Sequence, residues 1–141
     1  MFNVRVYGLL IHNNKILLSD ETYAGHTFTK FPGGGLEYGE STIDCLKREM
    51  REEYNWSIVV KDHFYTTDFF VESIFKKHSQ VIAIFYFFKL EDETVLTFET
   101  IKAIDESGSL RWKNISKLSV EDVSFPIDKK VIELLKVKLA V

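Results

Sequence analysis

With 141 residues, 45% hydrophobic and 14% aromatic, the chain has the composition of one folded globular domain that needs no disulfide to hold a core. A net charge of −3 at pH 7 gives no electrostatic basis for general nucleic-acid binding, so an anionic substrate would need a metal or local basic residues. The lone cysteine, Cys45, excludes an internal disulfide and fits a reducing, cytoplasmic setting.

Residues 2–12 read as a strand, alternating at first and then continuously apolar, without the h-region of a signal peptide. Asn13-Asn14 is a turn pair, and 15–18 returns as the second arm of a hairpin. Residues 20–27 are polar and loop-like, and 28–31 form a short strand leading to Pro32 and a loop of three glycines. An amphipathic helix follows, with Ser41 as N-cap, Asp44 as its capping-box partner and Asn55 as a left-handed C-cap. Its wheel has three faces. Ile43, Leu46 and Met50 make an apolar stripe to pack on a sheet, while Asp44, Lys47 and Arg51 point to solvent. Glu49, Glu52 and Glu53 share a third sector, because spacings of three and four superpose on a helix.

Beyond the helix, 57–70 read as one long or interrupted strand and 72–79 as a charged turn. Residues 80–89 are the most apolar strand, expected in the centre of a sheet and buried on both faces; the run is too short to span a bilayer. An acidic turn at 91–94, a short strand at 95–98, a loop and a last strand at 110–113 follow, then a helical turn at 115–120. From Ile127 a second amphipathic helix places Ile127, Val131, Leu134, Leu135 and Leu139 on one face, with Pro126 near its start. There is no repeat, linker or low-complexity tract, so 1–141 reads as a single domain. Two helices around a strand-rich middle predict an α/β fold with a mixed sheet covered on both faces.

The glutamate face is the anomaly. Three carboxylates in the last turns repel one another and oppose the negative end of the helix dipole, each contact costing roughly 0.2–1 kcal/mol. One reading is a solvated acidic face relieved by Lys47, Arg48 and Arg51. The other is a set of hard oxygen ligands for Mg²⁺ or Mn²⁺, whose charge cancels the repulsion. The glycine loop in front favours the second. The four histidines show no ligand spacing, and Cys45 reads as a packed, inert thiol.

The stretch from Gly34 to Trp56 resembles the Nudix box, G-x5-E-x7-R-E-U-x-E-E-x-G-U with U a bulky apolar residue. Gly34, Glu40, Arg48, Glu49, Met50, Glu52, Glu53 and Trp56 match in register; Asn55 stands where the family has glycine. The resemblance implies an α/β/α sandwich around a mixed sheet and a hydrolase that cleaves a nucleoside diphosphate linked to another moiety, assisted by Mg²⁺ or Mn²⁺. It implies that Glu52 and Glu53 are the principal metal ligands, with Glu52 counted in the catalytic set, and that Glu49 is either a ligand or the general base. The Gly33 carbonyl is expected as a further ligand. Arg48 belongs to the catalytic group, and with Glu40 it is expected to tie the loop to the helix; Gly34 and Glu40 are structural.

An acid outside the box is expected to complete the metal site. The resemblance points to Glu106, which stands six residues before Trp112 as the acid does in some nucleoside-triphosphatase members; Glu99 and Asp105 are competitors, and the alternative is that all three are loop surface. By the same resemblance Asp128 could reach a base edge, as a polar residue does in some triphosphatase members, or it serves only as a helix N-terminal acid. Tyr7, Tyr23, Phe28 and Phe31 are candidates for base stacking, each with burial in the core as the alternative. Marks of particular subfamilies are missing: Phe70 and residues 71–73 stand where ADP-ribose and dinucleoside-polyphosphate members carry proline and tyrosine. Ser19-Asp20-Glu21 stands where members that sanitise oxidised nucleotides often carry arginines. The expectation is a small nucleotide substrate such as a nucleoside triphosphate or a sugar nucleotide, with no general nucleic-acid or membrane partner, and a homodimer is compatible with it. The alternatives are a catalytically silent nucleotide-binding sensor of the same family and an acidic interaction protein without a ligand.

Overall fold

The computed structural model describes the whole chain apart from the side chains of Glu106 and Ser107. In chain order the elements are β1 (Phe2–Leu9), β2 (Ile11–His12), β3 (Lys15–Tyr23), β4 (His26–Lys30), β5 (Gly33–Gly35), α1 (Thr42–Tyr54), β6 (Ile58–Thr66), β7 (Gln80–Leu90), α2 (Phe98–Ser107), β8 (Leu110–Asn114) and α3 (Pro126–Leu139). They divide into two compact units, Met1–Leu9 with Pro32–Glu93 and Leu10–Phe31 with Thr94–Val141.

The first unit holds a mixed sheet of order β5-β1-β7-β6. β1 and β7 run parallel from Phe2↔Gln80 to Leu9↔Phe87, and the other pairings are antiparallel. β7 is interior, as its apolar run predicts, although only Ala83, Phe85, Phe88 and Leu90 along it are buried. α1 covers this sheet with Cys45, Leu46 and Met50, and Leu46 lies over Gly8. The expected stripe needs one correction, since Ile43 is 41% exposed. The covered sector centres on Thr42, whose Oγ1 is 2.8 Å from Tyr86 Oη, and on Cys45 and Leu46, which leaves Ile43 at its edge.

Two further corrections concern this unit. The glycine run is a short edge strand, because Gly33–Gly35 pairs with Arg5, Val6 and Tyr7. Gly33 has φ 148°, and a Cβ there would land on the Val6 carbonyl oxygen, so no other residue fits. The strand expected over 57–70 stops at Thr66. Two register shifts loosen its pairing with β7, and Thr67 Oγ1 then accepts the Ala83 N–H at 2.8 Å in place of a backbone carbonyl.

The second unit holds an antiparallel sheet in which β3 pairs with β2, β4 and β8. Asn13 and Asn14 both have positive φ, the turn expected of the pair. The segment expected as a loop at 20–27 is instead a second hairpin, closed by Ala24 and Gly25, both at positive φ. The strand expected over 2–12 breaks at Leu10, whose carbonyl accepts from Leu17 N–H. Residues 95–98 are not a strand. A 3₁₀ turn at Glu93–Val95 is followed by α2, whose N-cap Thr97 accepts the Thr100 N–H and whose C-cap Gly108 is left-handed. α3 starts with Pro126 and buries Ile127, Val131, Ile132 and Leu135, so Ile132 replaces the expected Leu134. Among the described residues no helix is long and apolar enough to cross a membrane.

Candidate active site

α1 is fixed at both ends. Ser41 Oγ accepts the Asp44 N–H at 3.0 Å. Asn55 takes φ 55° and turns its N–H back to Arg51 O, while Trp56 N–H reaches Met50 O, closing a Schellman-type end without glycine. The reciprocal capping box expected at Ser41 is found at Ser119 and Asp122 instead.

Between these ends Arg48 organises the carboxylates. Its Nε and Nη2 grip Glu40 at 2.9 and 2.8 Å, a bidentate pair, and Nη2 also donates to the Gly35 carbonyl at 3.0 Å. Nη1 donates to Glu49 Oε1 at 3.0 Å and Glu52 Oε2 at 3.2 Å, with Glu37 Oε1 at 3.6 Å. The loop after β5 is thereby tied to the helix. Glu37 also donates its N–H to Glu40 Oε1, a link the sequence reading missed although its spacing from Glu40 is visible. The hydrogen bonds that Arg48 donates hold the Glu40 carboxyl down at about 2, and the same bonds push the guanidinium up in turn. Burial, with the Glu40 carboxylate beside it, pushes the Cys45 thiol up to about 12, so the packed thiol is protonated and inert.

Gly34 faces Glu49. A Cβ on Gly34 would meet the Glu49 carboxylate at 2.5 Å, so the absent side chain is the space this half-buried carboxylate occupies against β5. Glu52 and Glu53 are exposed on the same sector of α1. Carboxylates on one helix turn beside the backbone carbonyls of β5 are oxygen donors of the type a hard dication takes, so the residues fit Mg²⁺ or Mn²⁺ in kind. Among the described residues no three His, Cys, Asp or Glu side chains are gathered as a ligand group; Glu49 and Glu52 meet on Arg48 Nη1.

The remaining expected residues, Tyr7 apart, lie in the second unit. Glu106 falls outside the described residues. Of its competitors, Asp105 Oδ1 accepts the Trp112 N–H at 2.6 Å, and Glu99 sits in the first turn of α2. Asp128 is buried, 3% exposed, in the first turn of α3. The acids standing where some relatives have arginine serve internally: Glu21 pairs with the buried Lys30 at 2.8 Å and Asp20 with Arg111 at 2.9 Å. Of the stacking candidates, Tyr7, Phe28 and Phe31 are buried and only Tyr23 is exposed.

This arrangement has relatives. The NUDIX domain family matches residues 1–135. The E. coli ORF135 protein is 18% identical with a TM-score of 0.71, over 99% of this chain and 91% of that one. A UDP-X diphosphatase is 20% identical with a TM-score of 0.65, over 99% of this chain and 64% of its own. The MutT protein of methicillin-resistant Staphylococcus aureus 252, described as a DNA mismatch repair protein of the Nudix hydrolase family, is 25% identical with a TM-score of 0.68, over 98% of both chains. No match is found among curated proteins. The chain belongs to the Nudix family, whose members are generally pyrophosphohydrolases, and it shares their mixed α/β fold. Membership of that family makes it a hydrolase of pyrophosphate bonds.

Proposed function

We propose that the chain is a Mg²⁺- or Mn²⁺-dependent pyrophosphohydrolase of small nucleotides, a nucleoside triphosphate or sugar nucleotide, with its working groups on α1 and β5. The observation that carries this reading is the set of carboxylates of Glu49, Glu52 and Glu53 on one face of α1, with Glu49 seated in the space left by Gly34. The substrate class draws on the UDP-X diphosphatase and the MutT protein, which share the fold.

Adjacent phosphates shield their own phosphorus atoms with negative charge, and three carboxylates alone would repel them. A dication bound there would supply the missing positive charge and lower the pKa of a water molecule. Glu52, Glu53 and the Gly33 carbonyl are assigned to hold it, and Glu49 joins them as a ligand rather than as the base. A carboxylate bound to a dication has its pKa lowered and becomes a poorer base. Arg48 and Glu40 are positioning residues that keep β5 and α1 in register. Glu106 is the acid proposed to complete the set, and Asp128 a contact to the base. The protein is proposed to act in the cytoplasm.

The test is release of phosphate or pyrophosphate from a panel of nucleoside triphosphates and sugar nucleotides, with and without Mg²⁺ or Mn²⁺. Metal-dependent release from at least one is expected. Silence across the panel with every metal would overturn the reading in favour of a nucleotide sensor.

A further inference from the structure

The segment that joins β6 to β7 holds apolar side chains in water. Phe70 is 70% exposed and Ile74 63%, with Phe75 exposed beside them and Phe2 of the neighbouring β1 at 67%. The segment is nonetheless held in one shape. Ser73 N–H donates to Ser79 O at 2.8 Å, Phe75 N–H to Ser73 Oγ at 3.1 Å and His78 N–H to the Glu72 carboxylate at 3.2 Å. Its side chains are thus presented with little left to order on binding. Glu72 bridges to Gln80, and Gln80 pairs with Phe2, so these three stand side by side. With Met1, Phe70 and His78 they line a groove of about 290 Å³.

One surface of the first unit therefore carries a socket with aromatic walls and, beside it, a knob made by Ile74 and Phe75. Lys76 Nζ lies 3.3 Å from Met1 Sδ, which sets the knob at the rim of the socket. A surface with both shapes fits a second copy of itself, as contact about a two-fold axis requires. The charges agree. Lys76 and Lys77 follow the knob directly, and Glu72 stands in the socket wall. A knob seated in a second copy thus brings two cations to one carboxylate, twice by symmetry. An anionic lipid surface would instead meet Glu72 as a like charge. The area suffices as well. Met1, Phe2, Phe70, Ile74 and Phe75 leave roughly 600 Å² in water, against about 450 Å² of apolar surface per partner in a standard interface. We propose that this surface is the contact of a two-fold homodimer. Ile74 and Phe75 of each copy enter the groove between the partner's Phe2 and the partner's Phe70, and Lys76 and Lys77 pair with the partner's Glu72. The contact uses no residue assigned to the metal or to catalysis.

Sedimentation velocity on the full chain across the micromolar range tests this. Wild type is expected to reach the mass of two chains. Ile74→Asp and Phe70→Ser, both at exposed positions, are each expected to raise the dimer dissociation constant about tenfold or more with the far-UV spectrum unchanged. Glu72→Lys alone, and Lys76→Glu with Lys77→Glu, should each weaken the dimer, and mixing these two variants should restore it, because each then offers the charge the other lacks. A wild-type chain that stays monomeric overturns the proposal, and one that also pellets with phosphatidylserine vesicles gives the surface to lipid instead. A dimer left intact by Ile74→Asp and Phe70→Ser, species that grow beyond two chains, or charge variants that mixing does not rescue overturn it equally.

Discussion

At the scale of single residues, Glu49 and Glu40 show how neighbours assign different work to the same side chain. Glu49 is half-buried against Gly34 and shares Nη1 with Glu52, so as a ligand it would sit on the inner side of the set. Glu49→Gln is then expected to weaken Mn²⁺ affinity and turnover together, with excess Mn²⁺ partly restoring the rate. Unchanged affinity with a large loss in kcat, and loss of the acidic limb of the pH–rate profile, would make it the base instead. Glu40 is taken out of such chemistry by its bidentate partner. Its carboxyl falls from 4.5 to about 2, chiefly through hydrogen bonds from Arg48. A folded-state value below the unfolded one means that its contribution to stability is complete above about pH 4.5 and disappears as the pH falls toward 2. Denaturant titrations of wild type and Glu40→Gln should therefore differ by a constant amount at neutral pH and converge in acid. A gap that persists at pH 2 would mean that the tie is not ionic.

At the scale of elements, α1 was the most legible because its signals agree. Its Ser cap, its left-handed Asn and its buried Leu46 and Met50 all stand where periodicity and capping chemistry put them. Ser41→Ala removes the acceptor for the Asp44 N–H and is expected to lower stability by about 1 kcal/mol, seen as a lower melting temperature with the far-UV spectrum unchanged. No change would mean that another group caps the helix. α2 was missed for the opposite reason. Thr97 and Gly108 mark its ends, but the helix is short, Phe98 at its start is exposed, and the Leu96 before it is buried, so the apolar period is blurred. The hairpin at Ala24-Gly25 was missed because its strands are polar, and alternation cannot be read where both faces carry Asp, Glu and Thr. At the site, residue types and helix spacing were readable, but the division of Arg48 between Glu40 and the other carboxylates was not. That division depends on where β5 brings the Gly35 carbonyl, which only the pairing of β5 with β1 determines.

At the scale of the whole molecule, ligand chemistry and stability meet in one measurement. Whatever binds the native state and not the unfolded chain stabilises by mass action. A dication at ten times its Kd adds about 1.4 kcal/mol, which for a chain of this size moves the melting temperature by about 3–6 °C. Mg²⁺ or Mn²⁺ should therefore raise the melting temperature, and a chelator should reverse the rise. Slowed amide exchange should be strongest in Gly33–Gly35 and the last turns of α1, where the assigned ligands lie, and weak along α3. Glu52→Gln combined with Glu53→Gln should abolish the shift. Without metal that variant should melt close to the wild-type temperature, because the loss of like charges at the negative end of the helix is offset by the loss of the exposed Glu52 pair with Arg48. This last feature separates ligand from scaffold, since a pair that merely held the fold would lower the metal-free melting temperature when removed. A wild-type melting temperature indifferent to both metals would leave these glutamates as a solvated acidic face.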